Sequence, residues 1–466
     1  MMQGKEQFMG WDKPDRSTGA NTGDVHTGLP SVLIICQHFP PLNRTAARRP
    51  YYLARHLVLR GHRVSVVTQE AGPGDDWSAP LTGIQLVRLP VVRIPAGIPS
   101  WQRWMLALHW NLRSTPLRPV MDLVADLFLP LNRGARMDIG PRVIEQEAGR
   151  HDVVIATGPG WSMFEFGAEV SRSWGSTFLP DYRDPWTVEM PEVGLLVMSD
   201  HGRPPFSWLR KRRIRRLEQR YTKHAHGITA ATPPFLENAL RVIGDRPSTV
   251  VFNGHEATFI DTPRAATERF TLVYTGSIYW EQEWEILADA LALLRTHHPG
   301  DYRDLHVLLI GATSSHGPTM ARVQQLVNAE QCVTAIERMD RSSTIRAQGE
   351  ADRLLHVGFK GKKGIVPLKF LEYIHAGVPV IQVSSGNDLQ EAILKRTRTG
   401  TVAPDAATLV NVLLDGISGW RAGRAPRHDP DKEALEEFTW DHQMEHWRQF
   451  IIAMDRSRAE GTTAVK

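Results

Sequence analysis

Short apolar runs alternate with amphipathic segments from the first ordered part of the chain. SVLIICQHF at residues 31–39 is rich in β-branched residues and is followed by a turn, which predicts a buried strand. RPYYLARHLVLRGH at 49–62 places its apolar residues on one helix face, with Gly61 as a C-terminal cap. HRVSVVTQ at 62–69 predicts the next strand. A strand, a helix and a second strand within this length predict a βαβ unit and therefore a parallel sheet.

The same alternation continues in two blocks. In the first block, strands are predicted at IQLVRLP, HDVVIATGP, STFLPDYRDPW, AHGITAATP and STVVFNGHE. The second block starts at RFTLVYTGSIY, where helices such as WEILADALALLRTHH alternate with the strands LHVLLIGAT, RLLHVGF and GVPVIQVSS. This order predicts the α/β class, with two Rossmann-like domains that face a common cleft.

Composition shifts along the chain suggest where the domains begin and end. Residues 1–28 are polar and Gly-rich, which predicts a disordered tail. We predict a first domain at 29–258 and a second at 268–430, divided near the polar stretch DTPRAATE. Residues 431–466 then hold an amphipathic helix, FTWDHQMEHWRQFI, and a frayed polar end.

The candidate chemistry is concentrated in IVPLKFLEYIHAGVPV at residues 365–380. Lys369 and Glu372 are three residues apart and so share one helix face. A lysine near a helix start suits a phosphate, and a glutamate there suits paired sugar hydroxyls. The pattern indicates a site for a phosphorylated, hydroxyl-rich ligand such as a nucleotide. A solvated Lys–Glu pair on a surface helix explains these residues equally well.

The composition indicates the cellular compartment and limits the classes of binding partner. The chain has 466 residues with 42% hydrophobic and 23% charged residues and a net charge of +4, which is typical of a globular protein and does not indicate a nucleic-acid binder. Cys36 and Cys332 fit neither a disulfide framework nor a metal site. With no signal-peptide pattern and no apolar run of about 20 residues, we predict a cytoplasmic protein without a bound metal or cofactor.

Seven segments, taken in order, resemble a known family. They are LIICQHFPP, LARHLVLRGHRVSVVT, DVVIATGPGWS, DYRDPW, FNGHE, LVYTGSIY and PLKFLEYIHAGVPVIQV. Their order and spacing resemble those of GT-B fold glycosyltransferases close to the family-4 type, which use nucleotide sugars. The resemblance covers residues 31 to 455. It also implies that the last helix crosses back onto the first domain.

The resemblance implies a donor site in the second domain. Glu372 matches the second glutamate of the family's Glu-x7-Glu motif, which holds the ribose hydroxyls, and Lys369 is near enough to reach a phosphate or the sugar. Gly276 and Ser277 match the glycine turn that approaches the diphosphate. Pro367, at the start of the lysine-bearing helix, joins this donor set.

The resemblance places the acceptor pocket in the first domain. It points to the loop at residues 40–47 and to the pair Arg183 and Asp184. Asp184 could accept the proton of the acceptor hydroxyl; an Asp–Arg pair that braces the loop explains the same residues. His38 follows the first strand and is a third catalytic candidate, although a lone histidine is more often structural.

The chain departs from the family pattern in three places. The first glutamate of Glu-x7-Glu falls on Gly364, so that side chain is missing. No basic residue follows the Gly276 turn in GSIYWEQEWE. The first loop, usually Gly-rich, carries instead three arginines: Arg44, Arg48 and Arg49. Because cations oppose the dipole at a helix start, we expect these arginines to serve phosphate binding, with Arg44 counted among the donor residues. A solvated helix start is the alternative.

Two stretches favour contact with an anionic membrane surface. LRKRRIRRLEQR at 209–220 holds seven basic residues and one acidic residue, and residues 101–129 mix tryptophan, leucine and arginine. A solvated basic helix beside a buried helix is the alternative. No nucleic-acid-binding module is recognisable.

The resulting hypothesis is a transferase that moves a sugar from a nucleotide diphosphate sugar to an acceptor hydroxyl. The resemblance implies a glycan or lipid-linked acceptor, retention of the anomeric configuration and a place at the inner face of the cell membrane. Two alternatives stay open. One is a nucleotide-sugar epimerase of the same fold, and the other is a degenerate nucleotide-sugar-binding subunit without catalysis, which the missing glutamate favours.

Overall fold

The computed structural model describes most of the chain, with gaps. The described residues are 28–72, 75, 77–92, 99–112, 115–116, 136–137, 141–158, 161–187, 207–256, 267–279, 282–314, 318–360, 364–384, 386, 389–423 and 429–463. The predicted disordered tail, apart from residue 28, and most of the predicted division between the domains lie outside these residues.

The strands form two large parallel sheets and one short antiparallel pair. The strands are Val32–Cys36 (β1), Val64–Gln69 (β2), Ile84–Leu89 (β3), Val91–Val92 (β4), Arg136–Met137 (β5), Val153–Gly158 (β6), Thr177–Tyr182 (β7), Ile228–Ala230 (β8), Ser248–Val250 (β9), Phe270–Thr275 (β10), Leu305–Ile310 (β11), Val333–Ile336 (β12), Arg353–Val357 (β13), Val380–Val383 (β14) and Gly400–Ala403 (β15). The first sheet has the order β3-β2-β1-β6-β7-β8-β9, and the second has the order β12-β11-β10-β13-β14-β15.

Helices connect the strands as the periodicity predicts. They are Thr45–Leu59 (α1), Ser100–Asn111 (α2), Pro141–Ala148 (α3), Trp161–Trp174 (α4), Ser207–Thr222 (α5), Pro233–Ile243 (α6), Trp284–His297 (α7), Pro299–Asp304 (α8), Pro318–Ala329 (α9), Arg341–Glu350 (α10), Leu368–His375 (α11), Leu389–Thr397 (α12), Ala406–Arg421 (α13), Lys432–Glu436 (α14) and Trp440–Thr463 (α15). Helix α1 begins four residues earlier than the apolar pattern at 49–62 indicated. Arg48 and Arg49 therefore lie in the helix and not in the preceding loop.

Each sheet is covered by a hydrophobic core on both faces, because alternate residues of a strand point to opposite sides. In β10, Leu272 and Tyr274 pack with helices α7 and α13, while Val273 packs with α11 on the other face. The β-branched runs of the sequence are therefore interior strands. The predicted α/β class with two Rossmann-like sheets is confirmed.

Helix α15 returns to the first domain. Trp440, Trp447 and Ile451 are buried in the same core as β1 and α1. The chain enters this helix beside the end of the first domain, where the His255 N–H donates to the Phe438 carbonyl at 2.9 Å. The crossing helix expected from the resemblance is present.

In each sheet the strand order reverses direction once. The chain winds outward in both directions from β1 and β6 in the first sheet and from β10 and β13 in the second. In open α/β sheets the crevice beyond the carboxyl ends of such strands is the usual binding site. His38 follows β1, and Gly276 follows β10.

Candidate functional site

The turn after β10 is open and has a glycine-dependent conformation. Gly276 has a φ of +98°, which favours glycine, and both it and Ser277 are exposed. Its N–H donates to the Ile310 carbonyl at 2.8 Å. A Cβ at residue 276 would lie 3.8 Å from both Cδ and Nζ of Lys369. The lysine of α11 therefore reaches the glycine turn, as the sequence suggested.

Lys369 sits in an aromatic setting. Its ammonium donates a hydrogen bond to the Tyr274 hydroxyl and lies 4.1 Å from the centre of that ring. Burial lowers the pKa of Lys369 to about 7, and the charge of Glu372 opposes this shift. An anionic ligand arriving here supplies the counter-charge that the surroundings provide only weakly.

Contacts behind the turn fix the position of Tyr274. Its ring meets Trp284 edge to face with centroids 5.0 Å apart, and its hydroxyl donates to the Ser277 carbonyl at 2.8 Å. The next residue, Thr275, is held by the Tyr373 hydroxyl, which accepts from the Thr275 N–H at 2.7 Å. Lys369 therefore lies on a helix, and the glycine turn directly follows a strand that these contacts hold in place.

The start of α11 is also available to an anion. Pro367 occupies the N-cap position, where no side chain caps the helix, and the first turn has no acidic residue. The Phe370 N–H donates to the Pro367 carbonyl at 3.0 Å. The positive end of the helix thus adds to the charge of Lys369.

Glu372 has a partner that the sequence did not reveal. Arg341 Nη1 donates to Glu372 Oε1 at 2.7 Å. Burial acts to lower the pKa of Arg341, but the charges of Glu372 and Glu256 outweigh it and raise that pKa. Asp340, which caps α10 by accepting from the Ser343 N–H at 2.9 Å, positions Arg341 at the helix start. The Asp–Arg–Ser–Ser pattern predicts the start of α10 but not the contact of Arg341 with Glu372.

The first domain reaches the same region through Tyr52. The Tyr52 hydroxyl on α1 donates to the Glu256 carboxylate, and its ring stacks on Trp440 with centroids 4.5 Å apart. The charge of Glu256 contributes to the raised pKa of Arg341. Residues of both domains thus border the Arg341–Glu372 pair.

Gly364, at the position of the missing motif glutamate, packs against the first domain. Its φ is +82°, and a Cβ there would lie 2.7 Å from Cβ and 2.8 Å from Cγ of Pro234 in α6. The neighbouring Ile365 packs on the core of the first domain. Any side chain at residue 364 would be strained and crowded, so glycine is required by the way the chain passes α6.

The acceptor-side candidates gather at the carboxyl edge of the first sheet. Arg183 Nε and Nη2 both donate to Asp184 Oδ2, at 3.0 and 2.8 Å, which makes this carboxylate part of an ion pair. Burial first, and then the charges of Arg183 and Arg44, lower the pKa of His38 to about 4, with Asp75 opposing them. His38 and Arg44 follow β1, and Arg183 follows β7, two strands along the same sheet.

The three arginines of the first loop and helix have separate roles. Arg44 is exposed at the start of α1. Arg48 lies over the Trp77 ring, 5.0 Å from its centre. Arg49 is 1% exposed and forms a bidentate pair with Asp181, with Nε···Oδ2 at 2.9 Å and Nη2···Oδ1 at 2.7 Å. The expectation that Arg49 serves a phosphate is wrong, because its guanidinium is used inside the protein.

The two halves of the site meet through apolar neighbours. Phe39, next to His38, belongs to a core cluster of the first domain, and Leu368, next to Lys369, packs against that cluster. Hence one hydrophobic core adjoins both the acceptor-side and the donor-side candidates.

A cavity elsewhere lies too far from these residues to be the site. It has a volume of about 490 Å³ and is lined by Ser31, Asp152 and Ser176, which precede β1, β6 and β7. These residues mark the amino ends of the strands, at the opposite edge of the sheet from His38. Its arginines are engaged locally; for example, Arg458 Nε donates to Thr177 at 2.8 Å.

Two other features concern metals and membranes. Within the described ranges, no group of three His, Cys, Asp or Glu side chains could hold a metal ion, even though His442 and His446 are four residues apart on α15. Nor does any helix in that part of the chain have the length and apolar character to cross a membrane. Trp101 and Trp104 on α2 are 51% and 66% exposed. Much of the stretch at 101–129 lies outside the described residues.

The second domain also matches a protein family. Residues 269–418 match the family model described as glycosyl transferases group 1. The similarity to group 1 glycosyl transferases therefore lies within the second domain. The prediction of a glycosyltransferase-type enzyme is confirmed at this level, whereas membership of family 4 in particular stays a prediction. No curated protein sequence matches the chain.

Solved structures support the fold of the whole chain. Anabaena Alr3699/HepE in complex with UDP is 12% identical with a TM-score of 0.53, covering 93% of this chain and 100% of its own. Sucrose-phosphate synthase from Thermosynechococcus elongatus is 15% identical with a TM-score of 0.56, and the match covers 91% of this chain and 100% of that one. An E. coli trehalose-6-phosphate structure, bound with UDP-2-fluoro glucose, is 12% identical with a TM-score of 0.54, and the match covers 91% of this chain and 99% of that one. The GT-B fold is confirmed.

Proposed function

We propose that this protein transfers a sugar from a uridine diphosphate sugar to an acceptor hydroxyl. The observation that carries the proposal is the approach of the Lys369 ammonium to the open Gly276 turn, at the strand-order reversal of the second sheet. Glu372 lies on the same helix face. The HepE structure contains UDP and the E. coli structure contains UDP-2-fluoro glucose, which favours uridine as the base.

Each donor residue has a task in this proposal. Lys369, the N–H groups after Gly276 and the start of α11 neutralise the charge that develops on the departing diphosphate, without a divalent ion. Removing one preorganised donor of this kind lowers the reaction rate by a factor of about 10²–10³. Glu372, oriented by Arg341, accepts hydrogen bonds from the ribose hydroxyls.

The acceptor hydroxyl is activated from the first domain in this proposal. The lowered pKa of His38 keeps the imidazole neutral at physiological pH, so it can accept a proton. Asp184 is a second candidate, but its carboxylate is held by Arg183. The family resemblance favours retention, although Gly364 removes the side chain that usually faces the donor sugar.

A degenerate binding subunit is the second candidate function, and the Gly364–Pro234 packing favours it. One experiment separates the two. Nucleoside diphosphates are first screened for thermal stabilisation, and UDP-sugars are then assayed for slow hydrolysis to UDP. We expect a shift with UDP and hydrolysis that Lys369→Met removes. Stabilisation by UDP without turnover of any UDP-sugar would favour the binding subunit, and released epimerised sugar would favour the epimerase.

We also propose that the acceptor is a glycan or lipid-linked glycan met at the inner face of the cell membrane. Trp101 and Trp104 are three residues apart and so share one exposed face of α2. Helix α5 exposes Arg212, Arg215 and Arg216. Tryptophan and arginine together suit an anionic bilayer surface. Co-sedimentation with phosphatidylglycerol vesicles, lost in Trp101→Ala/Trp104→Ala, tests this; equal sedimentation of the variant would contradict it.

A further inference from the structure

We infer that the cavity at the amino edge of the first sheet is a second binding site, and that its ligand is a neutral sugar unit of a glycan. The cavity has a volume of about 490 Å³, within the roughly 300–1,000 Å³ of small-molecule sites. Its floor precedes β1, β6 and β7, whereas the donor and acceptor candidates follow the strands of their sheets. Sugar binding here is therefore separate from the proposed transfer site and does not depend on the transfer reaction.

The starts of three neighbouring strands form the floor of the cavity. Asp152 Oδ2 accepts hydrogen bonds from the Ser31 N–H at 2.8 Å and from the Ser31 hydroxyl at 2.7 Å. The Ser176 hydroxyl donates to the His151 carbonyl at 2.5 Å. Because these bonds join the segments before β1, β6 and β7, the polar groups of the floor are fixed before a ligand arrives.

Trp174 supplies an apolar wall. Its side chain is half-buried and lies beside the His151 ring, with centroids 6.3 Å apart and ring planes inclined by 23°. The indole Nε1 is enclosed, so any exposed part of this ring is carbon. A carbon surface of this kind suits the C–H face of a sugar ring. Leu29 lines the cavity as a second apolar side chain.

Arg63 and Arg150 supply hydrogen-bond donors at the exposed rim. Arg63 Nη2 donates to the Arg150 carbonyl, and Arg150 Nε donates to Glu145 Oε1 at 2.8 Å. A guanidinium has five N–H donors, so these bonds orient both side chains and use only part of their capacity. Their other N–H groups have no acceptor within the part of the chain that the structure describes. They are therefore available to the hydroxyl oxygens of a ligand.

Asp152 supplies a hydrogen-bond acceptor beside these donors. Its Oδ2 is used by Ser31, whereas its Oδ1 has no donor among the described residues. Burial acts to raise the pKa of Asp152, but the hydrogen bonds from Ser31 and the charges of Arg63 and Arg458 outweigh it and lower that pKa. An ionised carboxylate only accepts hydrogen bonds. A sugar hydroxyl can donate to Asp152 while a neighbouring hydroxyl accepts from an arginine.

The charges around the cavity balance, which favours a neutral ligand over an anion. In the described ranges three arginines accompany three carboxylates, namely Arg63, Arg150 and Arg458 with Asp152, Glu145 and Asp455. His151 adds no charge, because burial first and then the charge of Arg63 lower its pKa to about 4. A phosphate would meet no excess of positive charge here, whereas hydroxyl groups can use both the donors and the acceptor.

The crossing helix also borders the cavity. Arg458 on α15 donates from Nε to the Thr177 hydroxyl at 2.8 Å and from Nη1 to the Gly175 carbonyl at 2.6 Å. A sugar in the cavity therefore contacts α15 as well as the strand starts of the first domain. Because such a ligand binds only the folded chain, it should raise the Tm.

The test is saturation-transfer NMR on the full chain with excess UDP. The probes are the methyl glycosides of glucose, galactose, mannose, rhamnose and N-acetylglucosamine. We expect transfer to at least one of them, whose dissociation constant is then measured by titration. Arg63→Met should raise this constant by roughly three- to tenfold, because it removes hydrogen-bond donors. Trp174→Ala should also raise it, and the exposed Arg63 keeps the test valid if loss of the half-buried indole prevents folding.

Two control variants locate the bound sugar. Arg172 is exposed on α4, the helix that also carries Trp174, and it is not among the residues that line the cavity. Arg172→Met should bind the glycoside as the wild type does. Asp184→Asn, on the acceptor side of the proposed transfer site, should also bind it normally.

The outcomes separate the second site from the proposed function. The second site would be overturned by no transfer to any of the glycosides, or by binding that Asp184→Asn removes and Arg63→Met leaves unchanged. Tighter binding of ribose 5-phosphate than of every glycoside, lost in Arg63→Met, would show an anion site and overturn the neutral ligand. Glycoside binding retained in a protein that does not bind UDP would support the second site and count against the proposed transferase alone.

Discussion

Arg341 Nη1 donates a 2.7 Å hydrogen bond to Glu372 Oε1, and the two side chains come from different helices of the second domain. A carboxylate held in this way keeps its charge and its orientation, while its second oxygen is left to other donors. The proposed ribose contact is therefore preorganised before the nucleotide arrives. Tyr52 and Glu256 bring the first domain to the same guanidinium.

Replacing Glu372 should weaken nucleotide binding without unfolding the protein. Glu372→Ala removes a half-buried acceptor of two ribose hydroxyls, so we expect UDP affinity to fall by about 10- to 100-fold, since hydrogen bonds to a charged group are worth roughly 1.5–3 kcal/mol. Calorimetric titration with UDP measures this. Asp415→Ala, exposed on α13, is the control and should bind as the wild type does. Unchanged affinity in Glu372→Ala would contradict the ribose assignment.

Arg341 should act through Glu372 and not by direct contact with the diphosphate. Arg341→Met leaves the carboxylate free to rotate, so we expect a weaker loss of UDP affinity than in Glu372→Ala. In the double variant the two losses should not add, because both remove the same contact. Full additivity in this double-mutant cycle would show that Arg341 binds the nucleotide independently.

The affinity for UDP should fall as pH rises through 7. Below the lowered pKa of about 7, Lys369 is a cation and attracts the diphosphate; above it the free protein must take up a proton to bind. Titrations from pH 6 to 9 measure the slope. Lys369→Met should bind weakly with a flatter profile, and Lys369→Arg, whose charge persists, should bind with little pH dependence. A steep profile retained in Lys369→Met would assign the titration to another group.

Lys369 should make the stability of the unliganded protein rise with pH, whereas it makes the affinity for UDP fall with pH. Because the pKa of Lys369 is about 7 in the folded protein and 10.5 in its ordinary state, the unfolded chain binds more protons between these values. The free energy of unfolding of the unliganded protein should therefore rise with pH from 7 to 9, by at most about 1.4 kcal/mol per pH unit from this group. Urea unfolding of the wild type and Lys369→Met compares the slopes; equal slopes would contradict the lowered pKa.

Local patterns in the sequence predicted the fold well. The β-branched run predicted β1 as a buried strand, and the 3.6-residue periodicity predicted the buried face of α7. Both patterns lie within the element itself, so they can be recognised without knowing which distant residues pack against it. Lys369 and Glu372 were likewise placed on one face by their spacing. Their partners, Tyr274 and Arg341, come from other elements, and no local pattern indicates such contacts.

Arg49 shows why the site was harder to predict than the fold. It is separated from Asp181 by 132 residues, and the sequence gives only a cluster of arginines near a helix start. In the structure one arginine is exposed, one lies over a tryptophan and one is buried in an ion pair. The charge of an arginine does not show whether it is exposed or buried, because burial depends on packing between distant segments.

The buried pair gives a prediction about stability. Arg49→Met leaves Asp181 enclosed with only the hydroxyls of Thr157 and Thr229 as partners, at 2.6 and 2.7 Å. Breaking a buried ion pair in this way costs about 3–5 kcal/mol. Denaturant unfolding should show a loss of that size, whereas Arg44→Met, at an exposed position, should change stability little. Equal stability of the two variants would contradict the structural role of Arg49.

Restoring the missing motif glutamate should destabilise the protein. Gly364 has a φ of +82°, and its added Cβ would meet Pro234 at 2.7 Å, so Gly364→Glu combines backbone strain with a clash against α6. Strain of this kind costs about 1–3 kcal/mol, and the clash adds to it. Thermal unfolding measures the loss against Gly419→Glu, a helical glycine with open space around it. A Gly364→Glu protein as stable as the wild type and more active on UDP-sugars would show that the glycine is a lost catalytic position and not a packing requirement.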